Sequence, residues 1–271
     1  MDTQQQTFLQ RYGLFIKSMV VGFLMLVLLI PASFIQDLVR ERQERQTEVI
    51  AEVSSKWASA QTINGPFLLI PYIEYQPGEN GKVLAYKRML HYMPDALEVD
   101  GKLMPEVKHR SIFKIVLYKS DVLLKGKIAP LQLAKAGIDP NSIQWNEVRL
   151  CLGITDNRGI AESLVVNWNG QPFEMEPGFP ETEIAASGVS VLVPDAIRLK
   201  DSASTFQLKL KLNGSERLYF TPLAKQTSVQ LQSSWANPAF DGKFLPQQSV
   251  VKPTGFTAKW NILHFTRDIP Q

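Results

Sequence analysis

LKLKLNGSERLYFT, residues 208–221, decides how this chain folds. Leu208, Leu210 and Leu212 alternate with Lys209 and Lys211, the period-two pattern of a strand with one buried face and one wet face. The run leads into Asn213-Gly214, a strong two-residue hairpin signal, so Glu216–Thr221 is expected to return as the partner strand. The same device recurs at Asn169-Gly170, which is expected to join Ser163–Trp168 to Gln171–Glu176.

Working outward, Phe67–Tyr75 is apolar on both faces, as in a strand deep inside a sheet, with Pro71 marking a bend or bulge. Further strands are expected at Leu84–Tyr92, Ser111–Tyr118, Val122–Ile128, Val148–Ile154, Val189–Val193, Ser228–Gln232 and Gly255–Ile262. Beyond residue 60, Leu131–Ala136 alone reads as a helix, closed by Gly137. Strands at short intervals, punctuated by Gly, Pro, Asn and Asp, predict a mainly β fold of the antiparallel β-sandwich type, one domain over residues 61–271.

The first 60 residues follow another rule. Ser18–Gln36, SMVVGFLMLVLLIPASFIQ, holds 19 residues without a charge and is apolar all round. About 20 helical residues cross the roughly 30 Å hydrocarbon core of a bilayer. Tyr12, Phe15 and Phe34 stand where interfacial aromatics are found, and Ile30-Pro31-Ala32 makes a poor cleavage triplet. One transmembrane α-helix over 13–35, an uncleaved signal anchor, therefore follows a short tail, 1–12. Arg11 and Lys17 on one flank and Arg40, Arg42 and Arg45 on the other leave its orientation open. Residues 36–60 continue the helix, with Glu41 four before Arg45 and an apolar stripe of Val49, Ile50, Val53 and Trp57. This segment is either a docking helix or a solvated stalk.

In all, 271 residues carry 29 basic and 26 acidic side chains, a net +3 that gives no reason to expect a nucleic-acid partner. The first 60 residues hold six of each sign, so the excess belongs to the β-rich part. One cysteine, Cys151, excludes an intrachain disulfide and any zinc site built on several thiolates, and its neighbours predict an inert thiol. His91, His109 and His264 leave little material for a metal cluster. No Gly-x-Ser-x-Gly elbow, His-Glu-x-x-His or phosphate-cradling loop occurs, and Glu181 and Glu183 in a Pro-Gly-rich loop are weak acid–base candidates. No catalytic, cofactor or metal residues are assigned, and no cofactor is expected.

Three features invite a structural test. Lys108, His109, Arg110, Lys114, Lys119, Lys125 and Lys127 form either an anion site or, preferably, the wet face of two paired strands. Asp156, Arg158 and Gly159 are expected to build a structural turn fixed by local hydrogen bonds. Trp235, Phe240 and Phe244, in a long aromatic loop over 235–246, are an interaction patch or the lid of the core, with the lid preferred.

Several segments in series carry a family resemblance. They are Leu29-Ile30-Pro31, Arg40-Glu41-Arg42, Gly65–Tyr72, Lys87-Arg88 leading to His91–Pro94, Asp156–Ile160, Trp235–Pro246 and Thr254–Trp260. In that order they resemble the CreD family of bacterial inner-membrane proteins. The resemblance implies a cytoplasmic N-terminus, a periplasmic β-domain and a part in cell-envelope integrity or envelope stress response, with unknown envelope proteins as partners and no established catalysis. Rival readings are a periplasmic adaptor of a transport or secretion complex and a membrane-anchored envelope hydrolase. CreD-like proteins continue into C-terminal membrane helices, whereas this chain stops at Gln271. The β-domain is therefore expected to be incomplete if the chain is a fragment, and residues 61–271 alone are expected to be poorly soluble.

Overall fold

The computed structural model describes residues 13–78, 82–180 and 184–266. The tail 1–12, including Tyr12, and the pair Glu181 and Glu183 lie outside these residues. The chain divides into two compact units between Glu52 and Val53.

The first unit is the body of helix α1, Gly13–Lys56, 44 residues long. At 1.5 Å per residue it measures about 66 Å, roughly twice a bilayer's hydrocarbon core. From Phe15 to Val39 its apolar side chains are exposed on every side, the pattern of a helix solvated by lipid. It is long and apolar enough to cross a membrane. Beyond the apolar run, Arg45 Nε meets Glu41 Oε1 at 3.4 Å, the expected i, i+4 pair. The helix stops at Lys56, four residues short of the expected end.

Among the described residues, the second unit holds the last turn of α1 and fourteen strands. Ser54 in that turn is buried, with its hydroxyl 2.9 Å from that of Ser215. Lys119 Nζ lies 5.9 Å from the centre of the Trp57 ring. The stripe at Val53–Trp57 is thus docked.

The strands are β1 Gln61–Pro77, β2 Val83–Tyr92, β3 Ala96–Arg110, β4 Phe113–Ile128, β5 Arg149–Ile154, β6 Val165–Trp168 and β7 Gln171–Glu174. There follow β8 Glu176–Pro177, β9 Gly188–Leu192, β10 Ser204–Ser215, β11 Leu218–Thr221, β12 Gln226–Ser233, β13 Gln248–Lys252 and β14 Gly255–Leu263. One sheet runs β11-β1-β5-β9-β8, with β2 also on β1. The other runs β13-β14-β12-β3-β4-β10-β6-β7. Pairing is antiparallel except at β1–β11 and β3–β12, which are parallel. The alternation at 208–212 does its work here: Leu208, Leu210 and Leu212 are at most 1% exposed. They share one core with Val122 and Leu124 of β4 and with Leu150, Leu152 and Ile154 of β5. Each such side chain contributes about 1.5–3 kcal/mol by leaving water.

The structure corrects several local expectations. Asn213-Gly214 is not a turn; both residues lie inside β10, paired with Lys119 and Tyr118 of β4. A Cβ at Gly214 would fall 2.2 Å from Tyr118 Oη, so this glycine makes room for a ring. The chain leaves the sheet after Ser215, through Glu216 at φ 58°, and β11 joins the other sheet beside β1. At Asn169-Gly170 the hairpin does form, with φ 49° and 85° and Trp168 opposite Gln171. Its second strand ends at Glu174, and β8 pairs with β9 in the other sheet.

Leu131–Ala136 forms overlapping turns rather than an α-helix: Lys135, Ala136 and Gly137 N–H each donate three residues back, to Gln132, Leu133 and Ala134 O. Gly137 still closes them at φ 66°, with Ile138 N–H donating to Leu133 O at 3.1 Å. Pro71 makes no bulge. Its carbonyl accepts from Gln144 N–H at 2.8 Å, away from β2, so its missing donor breaks no bond of that ladder. The irregularity falls between Asn64 and Phe67 instead.

Strands β3 and β13 were not expected. In β3, Gly101 and Pro105 imitate turn signals; Gly101 is there because a Cβ would lie 2.6 Å from Leu231 Cδ2. With β3 present, the segments expected at Ser111–Tyr118 and Val122–Ile128 are one continuous strand, β4.

Candidate binding cleft

The six-stranded sheet ends at β11, while the eight-stranded sheet carries on through β12, β14 and β13. Between the end strand and the overhanging face lies a cleft of about 840 Å³. Its floor includes Leu103, Val229, Leu231, Phe256 and Trp260, one wall is β11 itself, and the roof is the loop after β12. A volume of this order falls within the usual range of ligand sites.

The loop that the sequence singled out makes this roof. Trp235, Phe240 and Phe244 are half-buried, and all three line the cleft. Phe240 stacks edge-on against both Phe256, at 5.6 Å and 83°, and Trp260, at 5.7 Å and 78°. Trp260 Nε1–H donates to Phe244 O at 3.1 Å, and Trp235 Nε1–H to Asn237 O at 2.8 Å. Tyr219 Oη–H reaches Asp241 Oδ2 at 3.2 Å, and Gln247 N–H bonds Lys259 O at 2.9 Å. The loop is thus tied to β11 on one side and to β14 on the other. Sequence reasoning missed the opposite wall, Leu218–Thr221, because it paired that stretch with β10.

Asp156, Arg158 and Gly159 come together elsewhere, where β1 begins. Asp156 Oδ2 accepts from Arg158 NH2 at 2.7 Å and from Ser59 N–H at 3.1 Å; Oδ1 accepts from Arg158 Nε at 2.9 Å. Arg158 NH1 donates to Ser55 O at 2.8 Å. The fully buried Gln61 donates to both Asp156 O and Asn213 O. A Cβ at Gly159 would lie 2.4 Å from Asn213 O. The Arg158 guanidinium, aided by the Ser59 donors, holds the Asp156 carboxyl well below the usual carboxylate range. The half-covered Asp156 carboxylate and the exposed Arg158 guanidinium thus tie the turn to the residues just before β1.

The seven basic residues from Lys108 to Lys127 are all exposed on the β3–β4 pair, with His109 opposite Lys114. Cys151 is buried against Phe67, Leu69 and Leu223, and burial pushes its thiol up to about 12. Among the described residues no three His, Cys, Asp or Glu side chains gather in a way that would hold a metal ion.

The fold and the cleft define a β-domain protein with an open aromatic cleft and, among the described residues, one helix fit to cross a bilayer. The family described as "Inner membrane protein CreD" matches residues 13–271, and the chain belongs to it. It is similar to the inner membrane protein CreD of Escherichia coli K12, with 28% identity over 247 residues, 90% of this chain and 54% of that protein. The chain thus spans about half the length of this curated relative. No solved structure matches it.

Proposed function

We propose that α1 crosses the inner membrane over residues 13–35, with the N-terminus in the cytoplasm and the β-domain in the periplasm. There the protein contributes to envelope integrity by binding envelope components, not by making or breaking bonds. The observation that carries this reading is the cleft: an aromatic hollow whose charged lining residues are Glu216, Arg217, Asp241 and Lys243. Such a lining suits recognition of an apolar partner. Family membership supports the membrane location and the link to the envelope.

The test places a single cysteine at exposed Ser249, in the chain whose native Cys151 is buried. A membrane-impermeant maleimide is then applied to cells with permeabilised outer membranes. Labelling before lysis is expected; labelling only after lysis overturns the orientation. Deletion of the gene is expected to raise detergent sensitivity, and wild-type sensitivity in the deletion strain removes the envelope role.

A further inference from the structure

The wall of the cleft formed by β11 is a strand with one side unused. Its register on β1 pairs Gln61 with Leu218 and Asn64 with Thr221, in parallel. Gln61 N–H donates to Arg217 O at 3.1 Å. In a parallel ladder alternate residues turn their main-chain groups to the same neighbour. Arg217, Tyr219 and Thr221 therefore face β1, while Leu218 and Phe220 turn N–H and C=O the other way. On that side β11 is the last strand of its sheet, and among the described residues no protein group bonds the main chain of Leu218 or Phe220. The two sets of groups are about 6.6 Å apart, the two-residue repeat of a strand.

The occupant is defined by what it must satisfy. An acyl chain would match the aromatic walls but strip water from two N–H and two C=O groups without replacing the hydrogen bonds, leaving each one unpaired. A nucleic acid or an anionic headgroup meets a lining with two acidic side chains, Glu216 and Asp241, against two basic ones, Arg217 and Lys243. An extended peptide meets every demand at once. Its backbone continues the ladder beyond β11, and every second side chain enters the hollow lined by Phe240, Phe256 and Trp260.

We propose that the cleft binds an extended segment of a partner polypeptide by strand addition to β11, with uncharged apolar residues at alternate positions inserted beneath the loop of Trp235, Phe240 and Phe244. This rests on the reading of the cleft as a binding site and adds the class of ligand. It does not depend on which side of the membrane the domain occupies.

The test uses the full chain in lipid nanodiscs. The probe is a nine-residue peptide library with Val, Leu or Phe at every second position and polar residues between. The best binder is then remade twice, with N-methyl groups on the odd or on the even amides. Binding is expected to slow amide exchange at Leu218 and Phe220 at least tenfold while leaving Tyr219 unchanged. One N-methylated form, and not the other, is expected to bind at least tenfold more weakly.

Several results overturn the proposal. One is that no alternating peptide binds better than its scrambled version; another is that both N-methylated forms bind as well as the parent. Occupancy by a fatty acid in the absence of any peptide binder sinks strand addition and leaves the cleft a binding site. Leu218 and Phe220 amides already protected before peptide is added show the edge covered from within the chain, and protection that rises with protein concentration alone shows a second copy there.

Discussion

The ring of Phe240 stands edge-on to that of Trp260, with centroids 5.7 Å apart and planes at 78°. This contact fastens the loop after β12 to the face of β14, and so holds the roof of the cleft over its floor. Phe240→Ala removes two such ring contacts from a half-buried site. An aromatic pair is worth about 0.5–1.5 kcal/mol beyond its burial, so the loss of stability is expected at about 1–3 kcal/mol. Leu245→Ala, at a side chain 66% exposed in the same loop, is expected to cost less than about 0.5 kcal/mol. Chemical denaturation followed by tryptophan fluorescence compares the two. Equal effects would show that Phe240 is not the fastening.

Gly214 separates two explanations of an Asn-Gly pair. Gly214→Ala must push the Tyr118 ring aside and strain its 2.8 Å hydrogen bond to Arg217 O. Overpacking of this kind costs about 1–3 kcal/mol. Gly170→Ala, in open space at φ 85°, is charged only for its backbone, about 1–2 kcal/mol. A shift of the Tyr118 ring in the Gly214 variant, seen as a changed tyrosine environment by NMR, is the discriminating result. An unmoved ring would contradict the packing argument.

Asp156 sets a pH dependence of definite sign. Its folded carboxyl is held below the ordinary value by Arg158, so its contribution is present above the unfolded pKa, about 3.9, and fades as pH falls through the lower folded value. Asp156→Asn is therefore expected to lose about 1.5–3 kcal/mol at neutral pH, the worth of hydrogen bonds to a charged group. The gap from wild type should narrow steadily below pH 4. Urea titrations at pH 7, 4 and 2.5 measure it, and a gap that widens in acid would refute the assignment.

Cys151 should behave as core. With its thiol pushed up to about 12 by burial, it stays protonated and shielded at pH 7–9. Thiol reagents are expected to label it only along the unfolding transition. Rapid labelling of the folded chain would mean that the sheet opens locally at β5.

Much of this molecule could be read along the chain. The lipid-solvated part of α1 follows from an uninterrupted apolar run, because a helix apolar all round has no other stable solvent. The strand at Leu208–Leu212, the hairpin at Asn169-Gly170 and the buried face of Val148–Ile154 follow from alternation and turn chemistry, which are local. The three aromatics of the loop were legible as a group that had to find apolar surroundings.

What the chain alone did not decide is which strand each strand chooses. Alternation states that one face of β10 or β11 is buried, but the main-chain donors and acceptors that pair strands are the same in every residue except proline. Asn213-Gly214 therefore looked like a turn until the ring of Tyr118, about a hundred residues away, was seen to need the space. Likewise β3 hid behind a glycine required by Leu231 and a proline tolerated opposite Tyr118. The crossing of β11 into the second sheet, and with it the cleft and its unused edge, is a property of long-range packing. Sequence determined the membrane-length apolar helix and the buried faces; tertiary structure decided the partners, because burial is written residue by residue and pairing is settled only when the sheets assemble.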